Sequence, residues 1–500
     1  MIGKIARLGT DTAVYGISTV VGRFLTFLLT PLFANILLPG DLGTIATIYA
    51  YVAFLSVVYH YGMDVAFMKY VSTLELGDKK KTFTVPFVAV GLASILFSLA
   101  IYLGAVGIAP TIGAGPDHGD LVRYAAVILL LDAVCIIPFA VLRMEKRAMR
   151  FAATKTAGIV IHVACAVLFL VGFGWGMEGI LLANIVSSAS TVLMLIPVIS
   201  ANFAAGWSRP LFRSLLSYAL PTLPAGLAAI VIQVVDRPIL EALTDLHTVG
   251  IYQANFRLGI FMMLIVSMFE FAWRPFSFLH AHDEDAKALF ARVMTYLVLL
   301  MTSVFVLLFF FLNDLVSVPI LFGHSILPPE YREGLTIVPI VLLAYVFLGV
   351  STVCSAGLYI ERKTGTLPLI ALTGAGVSIT ANVLLIPFSG MEGAALAILL
   401  SYASMALLMY RSSQRVFPVP YETGRILRIL LAAAIVIGAS TLVSPPIPSL
   451  LWRAILVLVF VAGLYWLRFF QPSELAALKG LFASRGKVEP RTDADSHGGE

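Results

Sequence analysis

Arg23 and Arg257 are the residues with most chemistry to offer, because each falls deep inside an apolar run. The run 12–37 reads TAVYGISTVVGRFLTFLLTPLFANIL. At 1.5 Å per residue, Arg23 lies ~15 Å from its start, near the midplane of a ~30 Å hydrocarbon layer. Thr12, Tyr15, Thr19, Arg23, Thr26 and Thr30 recur at spacings of three and four, so they share one helical face. A polar stripe centred on a charge must face other helices or water rather than lipid.

Arg257 sits about ten residues into the run 247–271, with Gln253 one turn before it on the same face. Asp132 has a similar depth in the run 120–143. Asp236 and Arg237 close the run 214–240, near enough to its end for Arg237 to snorkel. The midplane balance is therefore two arginines against one aspartate. Guanidinium is always charged and donates through a planar fork, so this balance suits a phosphate-bearing anion. Thr19, Thr26, Tyr15 and Gln253 suit a hydrated cavity able to pass sugars. The plainer reading pairs Arg23 and Arg257 with Asp132 or with the carbonyls of a broken helix. Asp64 and Glu270 fall at helix ends and read as interfacial. His162 reads as a satisfied interior histidine or, alternatively, a proton relay.

The elements that must position these residues are membrane helices. The chain is 500 residues long, 60% hydrophobic and 12% charged, with mean hydropathy +0.96. Soluble domains carry about a quarter charged residues, so that class is excluded. Apolar runs of roughly 20 residues alternate with short polar loops, which predicts about fourteen spans. They fall near 12–37, 42–66, 83–108, 120–143, 153–173, 178–200, 214–240, 247–271, 289–312, 334–358, 367–388, 392–411, 425–443 and 449–469.

Loop charge agrees with this reading. With the N-terminus inside, the inner segments hold Lys4 and Arg7, Lys79 to Lys81, Arg143 to Lys155, Arg209 and Arg213, Arg362 and Lys363, and Arg411 to Arg428. The outer side holds only Arg332, with Arg123 and Arg453 just inside helix starts. Excess cation on alternate loops predicts both termini on the cytoplasmic side. The basic N-terminus leads into a retained first helix rather than a cleaved signal. Cys135, Cys165 and Cys354 lie in apolar runs and read as free thiols. Residues 471–500 lack apolar periodicity and are expected to be disordered.

A repeat divides the chain. Residues 176–190 and 390–404 share nine identities in fifteen positions, beginning with the same Gly-Met-Glu-Gly. Met144-Glu145-Lys146-Arg147 echoes Ile360-Glu361-Arg362-Lys363, and Leu42-Gly43 echoes Val249-Gly250. Each echo lies six spans apart, so both copies cross in the same sense and are related by an axis along the membrane normal. The expected fold is an all-α polytopic membrane protein of about fourteen transmembrane helices. Two pseudo-symmetric six-helix bundles surround a central cavity, followed by a C-terminal helix pair. The expected divisions are 1–205, 206–412, a hairpin at 413–470 and a cytoplasmic tail at 471–500.

Pro31, Pro86, Pro138, Pro197, Pro221, Pro224, Pro339 and Pro368 are expected to break helices, with Pro221 and Pro224 the candidate hinge. Gly91, Ala93, Gly374, Ala375 and Gly376 read as close helix packing. No phosphate-binding loop, metal-ligand cluster or nucleophile triad occurs, so no cofactor is expected. Nothing in the pattern suggests a nucleic-acid partner.

The segments GRFLTFLLTPLFANILLPGDLGTIA, DRPIL at Asp236 and VGIYQANFRLG around Arg257 resemble the oligosaccharide flippase family of polysaccharide biosynthesis proteins. That family belongs to the multidrug/oligosaccharidyl-lipid/polysaccharide (MOP) exporter superfamily. The resemblance implies translocation of an undecaprenyl-diphosphate-linked oligosaccharide across the inner membrane by alternating access of two lobes. It makes Arg23, Arg237 and Arg257 candidates for contacting the diphosphate or acidic sugars, with Thr19, Thr26 and Gln253 beside them. Asp236 and Asp132 are candidate charge partners or ion-coupling sites. Polysaccharide assembly proteins would be further partners. The rivals are a MATE-like cation-coupled multidrug exporter of the same superfamily, a membrane polymerase or glycosyltransferase, and a non-transporting scaffold. The multidrug reading lacks a midplane acid in the first span. The enzyme reading lacks a sizeable outer loop with catalytic residues.

Overall fold

A computed structural model describes residues 20–73, 79–321, 323–443 and 448–469. Thr12, Tyr15, Thr19, the N-terminal cations Lys4 and Arg7, and the tail 471–500 lie outside the described residues. The spans in order are α1 Val20–Ile36, α2 Pro39–Ser72, α3 Lys80–Thr111, α4 Gly119–Met144, α5 Ala148–Gly172 and α6 Gly176–Asn202. They continue with α7 Arg209–Val234, α8 Leu246–Leu279, α9 Ala286–Ser317 and α10 Pro329–Ile360. The helix Thr366–Val416 runs 51 residues, too long for one crossing, and Gly390 interrupts it at φ 51°, ψ −126°. We call its two parts α11 (366–389) and α12 (391–416). Thr423–Leu442 is α13 and Ser449–Trp466 is α14. The fold is therefore the all-α, fourteen-helix membrane architecture, two six-helix bundles and a terminal pair. A short antiparallel ribbon, β1 Pro319–Leu321 with β2 His324–Ser325, lies between α9 and α10. All three cysteines are free thiols.

The duplication is visible in backbone conformation. Lys146 and Arg362, which match in the echoed loops, both adopt φ of 55°. Gly176 and Gly390, which open the Gly-Met-Glu-Gly copies, adopt 56° and 51°. Left-handed backbone is costly for a lysine or arginine, so the same turn in both copies is a shared constraint. Hydrogen bonds repeat as well. Ser187 Oγ donates to the Gly158 carbonyl at 2.7 Å, clasping α5 to α6, and Ser401 Oγ donates to the Gly374 carbonyl at 2.8 Å, clasping α11 to α12.

The two bundles meet where α2 and α8 begin. A Cβ added to Gly43 would stand 1.8 Å from the Leu246 carbonyl oxygen, and one added to Gly250 would stand 1.8 Å from that of Pro39. The contact is reciprocal, so the pseudo-two-fold axis passes between the two glycines. Close by, Tyr331 OH donates to the Leu37 carbonyl at 2.8 Å, Asn255 Nδ2 to that of Tyr331 at 2.7 Å, and Asn35 Nδ2 to that of Ser325 at 2.9 Å. Backbone against backbone cannot yield by a rotamer change. Gly43→Val and Gly250→Val should each cost about 1–3 kcal/mol or more through overpacking, read as a fall in melting temperature of the purified protein. Gly91→Ala is the control, since nothing lies within 4 Å of its added Cβ. A melting temperature unchanged by either valine would show that the contact carries no weight.

Two expectations are corrected. Gly91 and Gly376 face open space, whereas Gly374 does pack closely, its added Cβ lying 2.6 Å from Met405. Pro86, Pro138 and Pro197 sit inside continuous helices. Neighbouring helices can absorb a proline there because the freed carbonyls find other partners. The seventh span is interrupted by a 3-10 turn at Leu220–Thr222, which contains Pro221 and lies just before Pro224. The terminal pair is pinned to α9 by Glu422, which pairs with Arg425 at 2.9 Å and accepts from Thr295 Oγ1 at 2.8 Å.

Candidate functional site

Arg23 and Arg257 line one cavity of about 390 Å³ between the bundles. Helices α1 and α8 run antiparallel along it and exchange hydrogen bonds. Arg23 donates from α1 to Ser267 Oγ on α8, and Arg257 donates back to Thr30 Oγ1 at 3.4 Å. Among the described residues neither arginine has a carboxylate partner, so the reading that paired them with Asp132 is not what the structure places there. Thr26 lines the same cavity.

Arg257 begins a 3-10 turn, Arg257–Gly259, that interrupts α8. A mid-helix 3-10 segment often marks a functional hinge. Gly259 lets this turn approach α10, since an added Cβ would meet Val341 Cγ1 at 2.7 Å and the Tyr345 ring at 3.0 Å. The backbone break thus aims Arg257 from a point of close packing. Nothing in the sequence around Arg257 announces it.

A third cation was missed. Lys155 also lines the cavity. The loop-charge reading assigned it to the inner polar segment, but α5 begins at Ala148, so Lys155 is two turns into the helix. Its Nζ lies 5.3 Å from the centre of the Phe139 ring and 5.9 Å from that of Phe151. Both rings hold the ammonium by cation–π attraction and leave it facing the cavity. The described lining thus holds Arg23, Lys155 and Arg257 and no carboxylate.

The cavity joins two chambers. One, of about 370 Å³, shares Thr26, Ile159 and Arg257 with it and reaches into the first bundle to Tyr49, His162, Asn184 and Ser187. The other, of about 390 Å³, shares Arg23 and Tyr345 and reaches into the second bundle among Ile232, Val266, Leu348 and Ile398. Each arginine therefore stands at the doorway to the opposite bundle's chamber. His162 Nδ1 is buried without a hydrogen-bond partner among the described residues, while the ring bonds the Ala183 backbone, so the histidine is satisfied on one side only.

Arg237 is elsewhere. It is 6% exposed and Asp236 2%. Asp236 Oδ1 accepts from Arg237 Nη1 at 2.6 Å, and Oδ2 accepts from Tyr252 OH at 2.5 Å. The remaining donors of Arg237 reach Gln253 Oε1 at 3.0 Å and the Gln233 carbonyl at 2.6 Å. Its guanidinium lies 4.3 Å from the centre of the Phe256 ring. The expected snorkelling does not occur, because the buried carboxylate of Asp236 and the buried Tyr252 hold the guanidinium inside the protein. Neither Arg237 nor Gln253 lines the cavity or its chambers. Asp132 lies midway along α4, exposed, and accepts from Ser188 Oγ at 2.6 Å.

A model of the family described as polysaccharide biosynthesis protein matches residues 32–328, more than half of the sequence. The chain belongs to that family. No curated protein matches it by sequence. Among solved structures, this polysaccharide biosynthesis protein is similar to the lipid II flippase MurJ in an inward closed conformation. The TM-score is 0.70 at 16% identity, covering 91% of this chain and 98% of that one. It is also similar to an inward-facing multidrug resistance MATE family transporter of the MOP superfamily, with TM-score 0.61 and 14% identity over 79% and 94% of the two chains. A MOP superfamily transporter from Pyrococcus furiosus, reported with a binding pocket of reverse polarity, matches at TM-score 0.56 and 12% identity over 82% and 94%. At these identities the likeness establishes the MOP fold, that of a multi-pass membrane protein.

Proposed function

We propose that this chain is a flippase that moves a diphosphate-linked oligosaccharide on a polyprenyl carrier from the inner to the outer leaflet of the cell's inner membrane. The observation that carries the reading is the cavity lining of Arg23, Lys155 and Arg257 with no acid opposite them. Arg23 and Arg257 have no carboxylate partner among the described residues, and Lys155 has only the electrostatic influence of Asp132 outside the lining, so an incoming diphosphate would supply the counter-charge. Arg237 acts at one remove, its pair with Asp236 setting the position of Gln233 and Gln253. Both oxygens of Asp236 are already taken, so we assign it as charge partner to Arg237 rather than as an ion site. Asp132, exposed, hydrogen-bonded to Ser188 and within electrostatic reach of Lys155, is the carboxylate we assign to ion coupling.

The lobes are 1–205 and 206–412 and rock about the Gly43–Gly250 contact, with 413–470 as an appended hairpin and both termini cytoplasmic. Directed transport requires that the two states differ in affinity for substrate or coupling ion. Assembly proteins of the same polysaccharide would act on either side. A multidrug exporter would need a free acid for its organic cation. The carboxylate lining the second chamber, Glu270, is paired with Arg274 at 2.5 Å.

The test is translocation in reconstituted vesicles. The full chain should move an undecaprenyl-diphosphate-linked oligosaccharide between leaflets and leave cationic drugs where they are. Drug export without lipid movement would establish the rival.

A further inference from the structure

The two chambers flanking the cavity draw on matching positions of the two bundles, and two of those positions differ in polarity. At the offset of 207 that pairs Gly43 with Gly250, Tyr49 corresponds to Phe256. At the offset of 214 that pairs Gly176 with Gly390, Asn184 corresponds to Ile398. Tyr49 and Asn184 line the first-bundle chamber, and Phe256 and Ile398 line the second. Duplication gave both bundles the same frame. At these two positions one copy presents a phenol and an amide, the other a benzene ring and an aliphatic side chain.

We propose that the first-bundle chamber seats the sugar ring attached to the diphosphate, and that it takes a neutral, hydroxyl-rich ring. The proposal rests on the flippase reading above and names what that reading leaves open, which side the glycan occupies and what chemistry selects it. Arg257 lines both the cavity and this chamber, so a phosphate held there leaves its next substituent at the chamber mouth.

The chamber's donors and acceptors stand ready. Among the described residues the Tyr49 hydroxyl and the Asn184 amide make no hydrogen bond, and both residues are half-buried. Ser187 Oγ is engaged with Gly158, and His162 Nδ1 is buried without a partner. An apolar group here would leave these polar atoms unpaired, whereas ring hydroxyls pair them. That is the arrangement by which a site rejects analogues lacking the hydroxyl. The described lining carries no carboxylate, and its one guanidinium already serves the phosphate.

The experiment is equilibrium binding to the purified full-length protein with two probes, undecaprenyl diphosphate and undecaprenyl-diphosphate-N-acetylglucosamine. The wild type should bind the sugar-bearing lipid about tenfold more tightly. Asn184→Ile, which installs the residue of the opposite copy, and Tyr49→Phe, which removes a single oxygen, should each erase most of that advantage. Binding of the sugar-free lipid should stay unchanged, which also reports that the variants are folded. Should Asn184→Ile fail to fold, Tyr49→Phe still decides. An advantage that survives in the folded variants, or a wild type that binds both lipids equally, overturns the sugar site and leaves the flippase reading standing. A wild type that binds neither lipid overturns both.

Discussion

Arg23→Ala and Arg257→Ala should each lower translocation of the diphosphate-linked oligosaccharide by at least about thirtyfold, while insertion and folding persist. The size follows from what truncation removes. Losing one side of a desolvated charge pair costs about 2–5 kcal/mol, and 1.4 kcal/mol is a tenfold change. Neither guanidinium has a carboxylate partner among the described residues, so removing one exposes no buried counter-charge and the fold should tolerate it. The structural bonds lost, to Ser267 and to Thr30, join helices already packed side by side. Lys155→Ala should cost less, because an ammonium is a point charge that cannot grip two oxygens as a fork does. Arg23→Lys and Arg257→Lys should recover part of the rate for the same reason. Rates in vesicles, normalised to inserted protein, measure all five. Wild-type rates in both alanine variants would remove the anion site.

The largest effect on stability is expected at Asp236. Asp236→Ala should destabilise the protein by about 3–5 kcal/mol, since it strands a buried guanidinium without its counter-ion. Arg237 would keep Gln253, the Gln233 carbonyl and the face of Phe256, all of them neutral. Tyr252 would lose the acceptor of its 2.5 Å hydrogen bond as well. The double variant Asp236→Ala/Arg237→Leu should regain most of the loss, because replacing both charges avoids the stranded ion. Thermal unfolding of the detergent-purified protein checks both. A normal melting temperature with lost transport in Asp236→Ala would make the carboxylate part of the transport cycle instead.

How much of this was legible in the sequence varies by residue. Arg23 could be found because its helical face repeats at three and four, and because a charge in the middle of an apolar run stands out. Arg257 could be found for the second reason, but not its 3-10 turn, which depends on Gly259 meeting Val341 and Tyr345 of another helix. Lys155 was hidden by its neighbours. Arg143, Lys146, Arg147 and Arg150 made it look like one more topogenic cation, and only the start of α5 at Ala148 separates it from them. Arg237 was misplaced because a position near a helix end permits snorkelling. The choice between lipid surface and buried pair was made by the buried carboxylate next to Arg237 and the helices packed over both. Gly43 and Gly250 were visible as matching residues, yet nothing in their neighbourhoods says that they touch.

The sequence by itself determined the number of crossings, the duplication and the presence of charge in the membrane interior. A hydrocarbon layer of fixed thickness leaves little freedom in how long and how apolar each run must be, and that constraint is written along the chain one segment at a time. Only the tertiary structure decided which charges share a space. Helix rotation and the distance between helices arise from packing across the bundle, so they put Lys155 beside Arg23 and Arg257, took Arg237 away, and set Tyr49 and Asn184 in one chamber against Phe256 and Ile398 in the other.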